Sequence, residues 1–191
     1  MQGFGHAIGL DAAAPRRYST LLLIELYAET IVKRRMNPAK VVHEIRNLEA
    51  GTQTVGTKPA TPFKHPPLQG LWHKHYLQDG LHSMARNLRL ALQRHGLPLF
   101  EQRVREAQEA NEERYLSKED VAAIVHDAVV ENYMRRSHAA ELTGEWIIYA
   151  QHEGQNYYLC LGEHNSGDDV LRKKIDDLCC QEFPFLSSLL A

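Results

Sequence analysis

Between Ser19 and Val32 the apolar positions Leu22, Leu23, Leu26, Tyr27 and Val32 fall near one stripe, the spacing of a helix with one buried face. Asn37-Pro38 reads as an N-cap followed by proline at the first helical position. It opens a second helix that carries Val41, Val42, Ile45 and Leu48 inward and stops near Gly51. An antiparallel helical hairpin is therefore predicted within 1–50, after a Gly- and Ala-rich start at 1–18. Residues 50–62, with Gly51, Gly56, Pro59 and Pro62 among threonines, form a connection. Leu81, Met84, Ala85, Leu88 and Leu92 predict an amphipathic helix over 80–95, with Arg86, Arg89 and Arg94 outward and Gly96 as its stop. Segment 99–114 has only a narrow stripe of Phe100, Val104 and Ala107, so a mostly solvated helix is expected. Ser117 with Asp120 makes a variant capping box for a further helix carrying Val121, Ile124, Val125, Ala128 and Tyr133.

The pattern then changes. Trp146–Ala150 and Tyr157–Leu161 are β-branched and aromatic runs flanking Glu153-Gly154-Gln155, which predicts a β-hairpin. Both runs are nearly apolar throughout, so both sheet faces must be covered. Upstream, Gly70 suggests a turn feeding a strand from Leu71. Strand alternation puts His73 and His75 on one face and Trp72, Lys74 and Tyr76 on the other. Segments 68–76, 146–151 and 157–162 are expected in one sheet. Asp168–Leu178 returns to helix, and the apolar segment Phe183–Leu190 must dock or bind a partner. These elements predict an α+β fold in a single domain over 1–191. It has a small, mostly antiparallel sheet packed on helices, the hairpin within 1–50, a core over 63–191, and a helical insertion over about 78–142.

Composition narrows the function classes. A chain of 191 residues with 43% hydrophobic residues suits one well-cored domain. A formal net charge of −2 gives no global field to recruit nucleic acid or an anionic membrane, so any such contact must be local. The stretch 62–95 supplies one: Lys64, Lys74, Arg86, Arg89 and Arg94 stand against Asp79 alone. The apolar run Leu21–Ile24 is too short to span a bilayer, and no leader-type cleavage pattern precedes it. Cys160, Cys179 and Cys180 are odd in number and lack C-x-x-C spacing, which argues against a disulfide framework and a zinc knuckle. A reduced, cytoplasmic protein without a membrane partner is expected. Walker loops, dinucleotide fingerprints, G-x-S-x-G and H-E-x-x-H are absent.

Among eleven histidines, four sit in a chemical context. His73 and His75 share a strand face, where two imidazoles suit acid and base work or a pair of metal ligands. His164 lies just past a strand end, exposed on rigid support. His65 precedes Pro66-Pro67 and is either a turn residue or a functional one. Trp146 and Tyr149 are either core residues or base-stacking platforms. Lys74 and Arg86 are candidate phosphate contacts. His6, His43, His82, His95, His126, His138 and His152 read as ordinary histidines.

The run HPPLQGLWHKHY at 65–76 is similar to the HPLxGxWxxxR segment of RelE-like toxins, especially their YafQ branch. EWIIYA at 145–150, with YYLCLGEHNSGD at 157–168, resembles the same family's DWLLIY…LxRxGTHxDLF ending. The resemblance implies neighbouring strands of one small antiparallel sheet and mRNA cleavage, typically on the ribosome. It also implies a cognate antitoxin, with neither cofactor nor metal required. By motif, His65, Trp146 and His164 fall on family positions, and His73 or His75 stands in for the intervening histidine. Departures are the long helical stretch between the two segments, the acidic overall charge, and Glu145 where the family has Asp. The leading expectation is an RNA-cleaving, toxin-type endoribonuclease using histidine acid/base chemistry. The alternatives are a non-catalytic interaction or regulatory protein on a related fold, and a metal-dependent enzyme built on His65, His73 and His75.

Overall fold

The computed structural model describes residues 2–52, 54, 56–77, 81–111, 115–139, 145–163 and 166–191. Two short helices, α1 (Gln2–Ala7) and α2 (Leu10–Ala13), precede α3 (Thr20–Tyr27) and α4 (Pro38–Glu49). Ser19 caps α3 by accepting from the Leu22 amide at 2.9 Å, and Asn37 caps α4 by accepting from the Ala39 amide at 3.1 Å. Three strands then form the body of a four-stranded antiparallel sheet in the order β1-β2-β3-β4. These are β2 (Leu71–Tyr76), β3 (Glu145–His152) and β4 (Gln155–Gly162); β1 (Thr61–Pro62) is a two-residue edge. Proline on so short an edge leaves little ladder for another chain to extend. The α+β expectation and the grouping of 71–76 with the hairpin hold; Leu68–Gly70 is turn rather than strand.

Glu153 and Gly154 both take positive φ (49° and 73°), the geometry that a two-residue hairpin turn needs to match strand twist. On β3 the side chains alternate cleanly: Ile147 and Tyr149 face α3 and α4, while Trp146, Ile148 and Ala150 face the opposite layer. β4 departs from alternation. Tyr149 pairs with Tyr158 and Ile148 with Cys160, so Leu159 is an extra residue in β4. That bulge turns Leu159 and Cys160 to the same face, and both are fully buried there.

The second layer comes from α9 (Asp168–Lys174), a π-helical turn over Ile175–Cys179, and the segment 183–190 with α10 (Phe185–Leu189). Leu171, Ile175, Phe183, Leu186 and Leu190 bury against Leu71, Ile148 and Leu159. His152 stacks on Phe185 with ring centroids 4.1 Å apart, fastening that segment to the hairpin. The apolar segment therefore docks on the chain's own sheet. Gly70 (φ 97°) lets it close in, since a Cβ there would stand 3.1 Å from the Leu189 carbonyl.

Two helical stripes differ from expectation. α3 runs into a π-helical turn over Ala28–Val32, and that extra residue rotates Val32 out to 69% exposure and leaves Tyr27 exposed. Between β2 and β3 lie α5 (Leu81–His95), α6 (Pro98–Glu109), α7 (Lys118–His126), a π-helical turn (Asp127–Glu131) and α8 (Asn132–His138). The Ser117/Asp120 capping box forms with both bonds. On α5, however, Asn87 and Ala91 are buried while Met84 is exposed, because α5 packs on α8 rather than on the sheet. Among the described residues, no helix is long and apolar enough to cross a membrane.

Burial pushes the Tyr149 phenol up to about 12, and Tyr158 is pushed up further by burial and its bond to Glu49. Phenols in an unfolded chain ionise near ~10. Their contribution to stability is therefore full below that value and is lost as pH rises through the folded value. The expected outcome is native circular dichroism up to about pH 10 and cooperative unfolding between roughly 10 and 12. A transition completed below pH 9 would contradict this burial.

Candidate functional site

The β2–β3 register sets the candidate site: His75 lies opposite Trp146 and His73 opposite Ile148. The two imidazoles face the same side, with ring centroids 5.5 Å apart. Trp146 is 5.1 Å from His73 and 6.1 Å from His75, and Phe63 is 4.8 Å from His73. Residues far apart in sequence thus form one aromatic cluster. Gly162, opposite Trp146 on β4, makes room for it: a Cβ there would meet Ile148 at 3.0 Å and the indole at 3.4 Å. His73, Phe63 and Trp146 are half-buried, whereas His75 is only 3% exposed. Of the two imidazoles His73 is the more exposed, although its Nδ1 is itself buried.

Lys74 points the other way. It is 3% exposed, and its Nζ donates to Thr57 Oγ1 and to the Lys58 carbonyl, each at 2.7 Å. It stands 3.4 Å from the buried carboxylate of Glu44 on α4. Burial holds its pKa below the ordinary lysine value, an effect that Glu44 opposes. The expectation that Lys74 contacts phosphate is corrected: the face opposite the histidines, where alternation places it, is closed by α4 and buries its ammonium. Tyr149 is corrected for the same reason. It is fully buried between Trp72 and Tyr158, with centroids 6.4 and 5.7 Å away, and offers no free ring face to a base.

The remaining expected residues are spread out. His65 is exposed in the turn before the cis Pro66–Pro67 bond, and Arg86 is half-buried on α5. His164 lies outside the described residues. Its neighbours Glu163 and Ser166, past the end of β4, exchange two hydrogen bonds of 3.0 Å.

Glu163 and Ser166 border a cavity of about 280 Å³ at the same end of the sheet as His75 and Trp146. Tyr76 lies in its wall together with Glu25, Glu29, Lys33, Glu163 and Lys174. The charges are internally paired: Lys174 bonds Glu25 at 2.5 Å and Lys33 bonds Glu29 at 2.6 Å. Arg35 joins the second pair at 2.7 Å and is the main reason that the Glu29 carboxyl sits below its ordinary value. Burial alone would lower the Lys174 pKa, but its bond to Glu25 raises it overall. Walls of both signs over an apolar floor suit a polar ligand rather than a bare phosphate. Lys33 and Lys174 carried no sequence signal, since each sits at ordinary solvated-face spacing. Among the described residues, no three His, Cys, Asp or Glu side chains converge to hold a metal ion. No protein-family model, curated protein or solved structure matches this chain.

Removing one member of a buried ion pair strands the other charge, at a cost of about 3–5 kcal/mol. Lys74→Met is expected to destabilise the protein by that amount in urea unfolding, and Lys74→Met with Glu44→Gln to recover most of it. A double variant no more stable than the single one would show that the two groups are not coupled.

Proposed function

We propose that this protein is an RNA-cleaving endoribonuclease of toxin type, acting in the cytoplasm through histidine acid/base chemistry. The observation that carries this reading is the pair His73 and His75 on one sheet face, adjoining Trp146. The motif resemblance anticipated that grouping across the intervening helices, and the strand register supports it. In the proposed reaction an imidazole base takes the proton of a ribose 2′-hydroxyl. The freed oxygen attacks the adjacent phosphorus. The bond from phosphorus to the 5′-oxygen breaks, and an imidazolium donates the proton that the leaving oxygen needs. The products are a 2′,3′-cyclic phosphate and a 5′-hydroxyl. His73, the more accessible imidazole, takes one role and His164 the other, while His75 buttresses His73. The half-buried indole of Trp146 provides a surface on which a base can stack. RNA or the ribosome is the target, and a protein antitoxin the neutralising partner. No metal enters the scheme.

A second reading is favoured by different residues. Lys74 and Tyr149 are committed to the core rather than to the cluster, as a non-catalytic interaction protein on a related fold would allow. Cleavage of an end-labelled RNA in the presence of EDTA separates the two. His73→Ala is expected to slow cleavage by roughly 10²–10⁴-fold with the fold unchanged. His75→Ala should cost stability as well as rate, and His138→Ala, an exposed histidine elsewhere, should change neither. Absence of cleavage by the wild-type chain, with no growth defect on expression, would leave the interaction reading standing.

A further inference from the structure

The helices between β2 and β3 are built inside out. Among the described residues of 81–138, Ala91 is the one fully buried apolar side chain, whereas Asn87, Asp127, Asn132 and Arg136 are buried polar ones. Polar bonds hold these helices together. Asp127 accepts from Arg135 at 2.6 Å and from the Leu99 amide at the start of α6 at 3.3 Å. Asn132 donates to the Gly96 carbonyl at 3.1 Å, tying α8 to the end of α5. A hydrogen bond contributes less net stability than the full burial of a Val- to Phe-sized side chain. Leu88, Leu92, Leu97, Leu99, Ile124 and Tyr133 are only half-buried, so within the monomer these helices draw less than fully on the stronger of the two stabilising effects. Ten of the sixteen exposed large apolar side chains among the described residues lie between Met84 and Met134. On α6, Phe100 and Val104 are one turn apart; on α7 and its π-helical turn, Val121, Val125 and Val129 recur at helical spacing. Neither apolar cluster of the sheet includes any described residue from 81–138.

We propose that α6 and α7 form a surface through which two copies of the chain associate as a two-fold dimer. Area and charge select a second copy over another partner. The chain exposes 11368 Å², whereas a compact monomer of 21.8 kDa exposes roughly 9,300 Å², an excess of about 2,000 Å² per chain. Shared by two copies, that excess falls in the range of permanent homodimers, about 2,000–5,000 Å² in total. The apolar stripes are flanked by Arg103, Arg105 and Lys118 as well as Glu101, Glu106 and Glu119. Charges of both signs around one patch complement a rotated copy of the same patch, whereas RNA would require a single sign. The net charge of −2 opposes self-association only weakly.

Light scattering on the full chain at micromolar concentration should give twice the 21.8 kDa chain mass. Val104→Glu with Val125→Glu, both at exposed positions of the monomer, should weaken association by on the order of 100-fold or more by burying charge in the interface. Ile24→Glu with Val32→Glu, on an exposed apolar face elsewhere, should leave the dimer intact. If the first double variant fails to fold, amine cross-linking of mixed light- and heavy-isotope wild-type protein decides instead. Links between copies should then involve Lys118. A monomeric wild type, a dimer that survives Val104→Glu/Val125→Glu, or inter-copy links confined to Lys33 and Lys173 would overturn the proposal.

Discussion

A hairpin that is apolar on both faces cannot remain in water, and most of the architecture follows from covering β3 and β4. Each face requires its own layer, so α3 and α4 close one side, and α9 with the segment 183–190 closes the other. The outer edge of β4 must also be sealed, because unpaired strand amides and carbonyls invite further pairing. Residues 17–25 seal it. The Tyr158 amide donates to the Arg17 carbonyl at 2.8 Å, and the Ser19 amide donates to the Tyr158 carbonyl at 2.9 Å. The Ser19 hydroxyl donates to the Leu159 carbonyl, and the Leu161 amide donates to Glu25 at 2.7 Å. Ser19, fully buried, thus starts α3 and fixes it to the strand with the same side chain.

That double covering decides what β2 can offer. Its residues facing α4 enter a closed layer, where Lys74 meets the Glu44 carboxylate and the Thr57 hydroxyl. Its residues on the other face meet a layer that buries Leu71 but leaves His73 half-buried beside Phe63 and Trp146. One strand therefore carries a buried lysine on one side and, on the other, one half-buried and one buried imidazole. The cavity beside Glu163 and Tyr76 lies at the same sheet end, where the C-terminal ends of β2 and β4 leave the ladder. Strand ends supply rigid support and solvent access together, the combination that a working side chain needs.

The helices inserted between β2 and β3 obey a different rule from the sheet layers. They are joined by polar bonds at Asp127 and Asn132, and the apolar stripes of α6 and α7 stay exposed at Phe100, Val104, Val121 and Val125. Three π-helical turns, over Ala28–Val32, Asp127–Glu131 and Ile175–Cys179, each add a residue that shifts the phase of the helix they continue. In α3 that shift exposes Val32; past α7 it coincides with the buried carboxylate of Asp127.

Local chemistry was legible in the sequence wherever neighbouring residues settle it. The caps Asn37-Pro38 and Ser117/Asp120, the turn at Glu153-Gly154, and the face assignment of His73 and His75 all follow from short-range sterics and period-two alternation. The two-sided burial of β3 and β4 was also legible, because an apolar run without alternation has no solvent face. Other features depend on partners distant in the chain. Nothing around Lys74 announces Glu44, nothing around Tyr149 announces Trp72 and Tyr158, and nothing in α5 reveals that Asn87 rather than Met84 turns inward. Hydrophobic spacing identifies a helix's apolar stripe, but only the tertiary structure determines whether another element is there to bury it. Here the sheet took its covers from the first and last segments of the chain and left the middle helices to pack through polar groups.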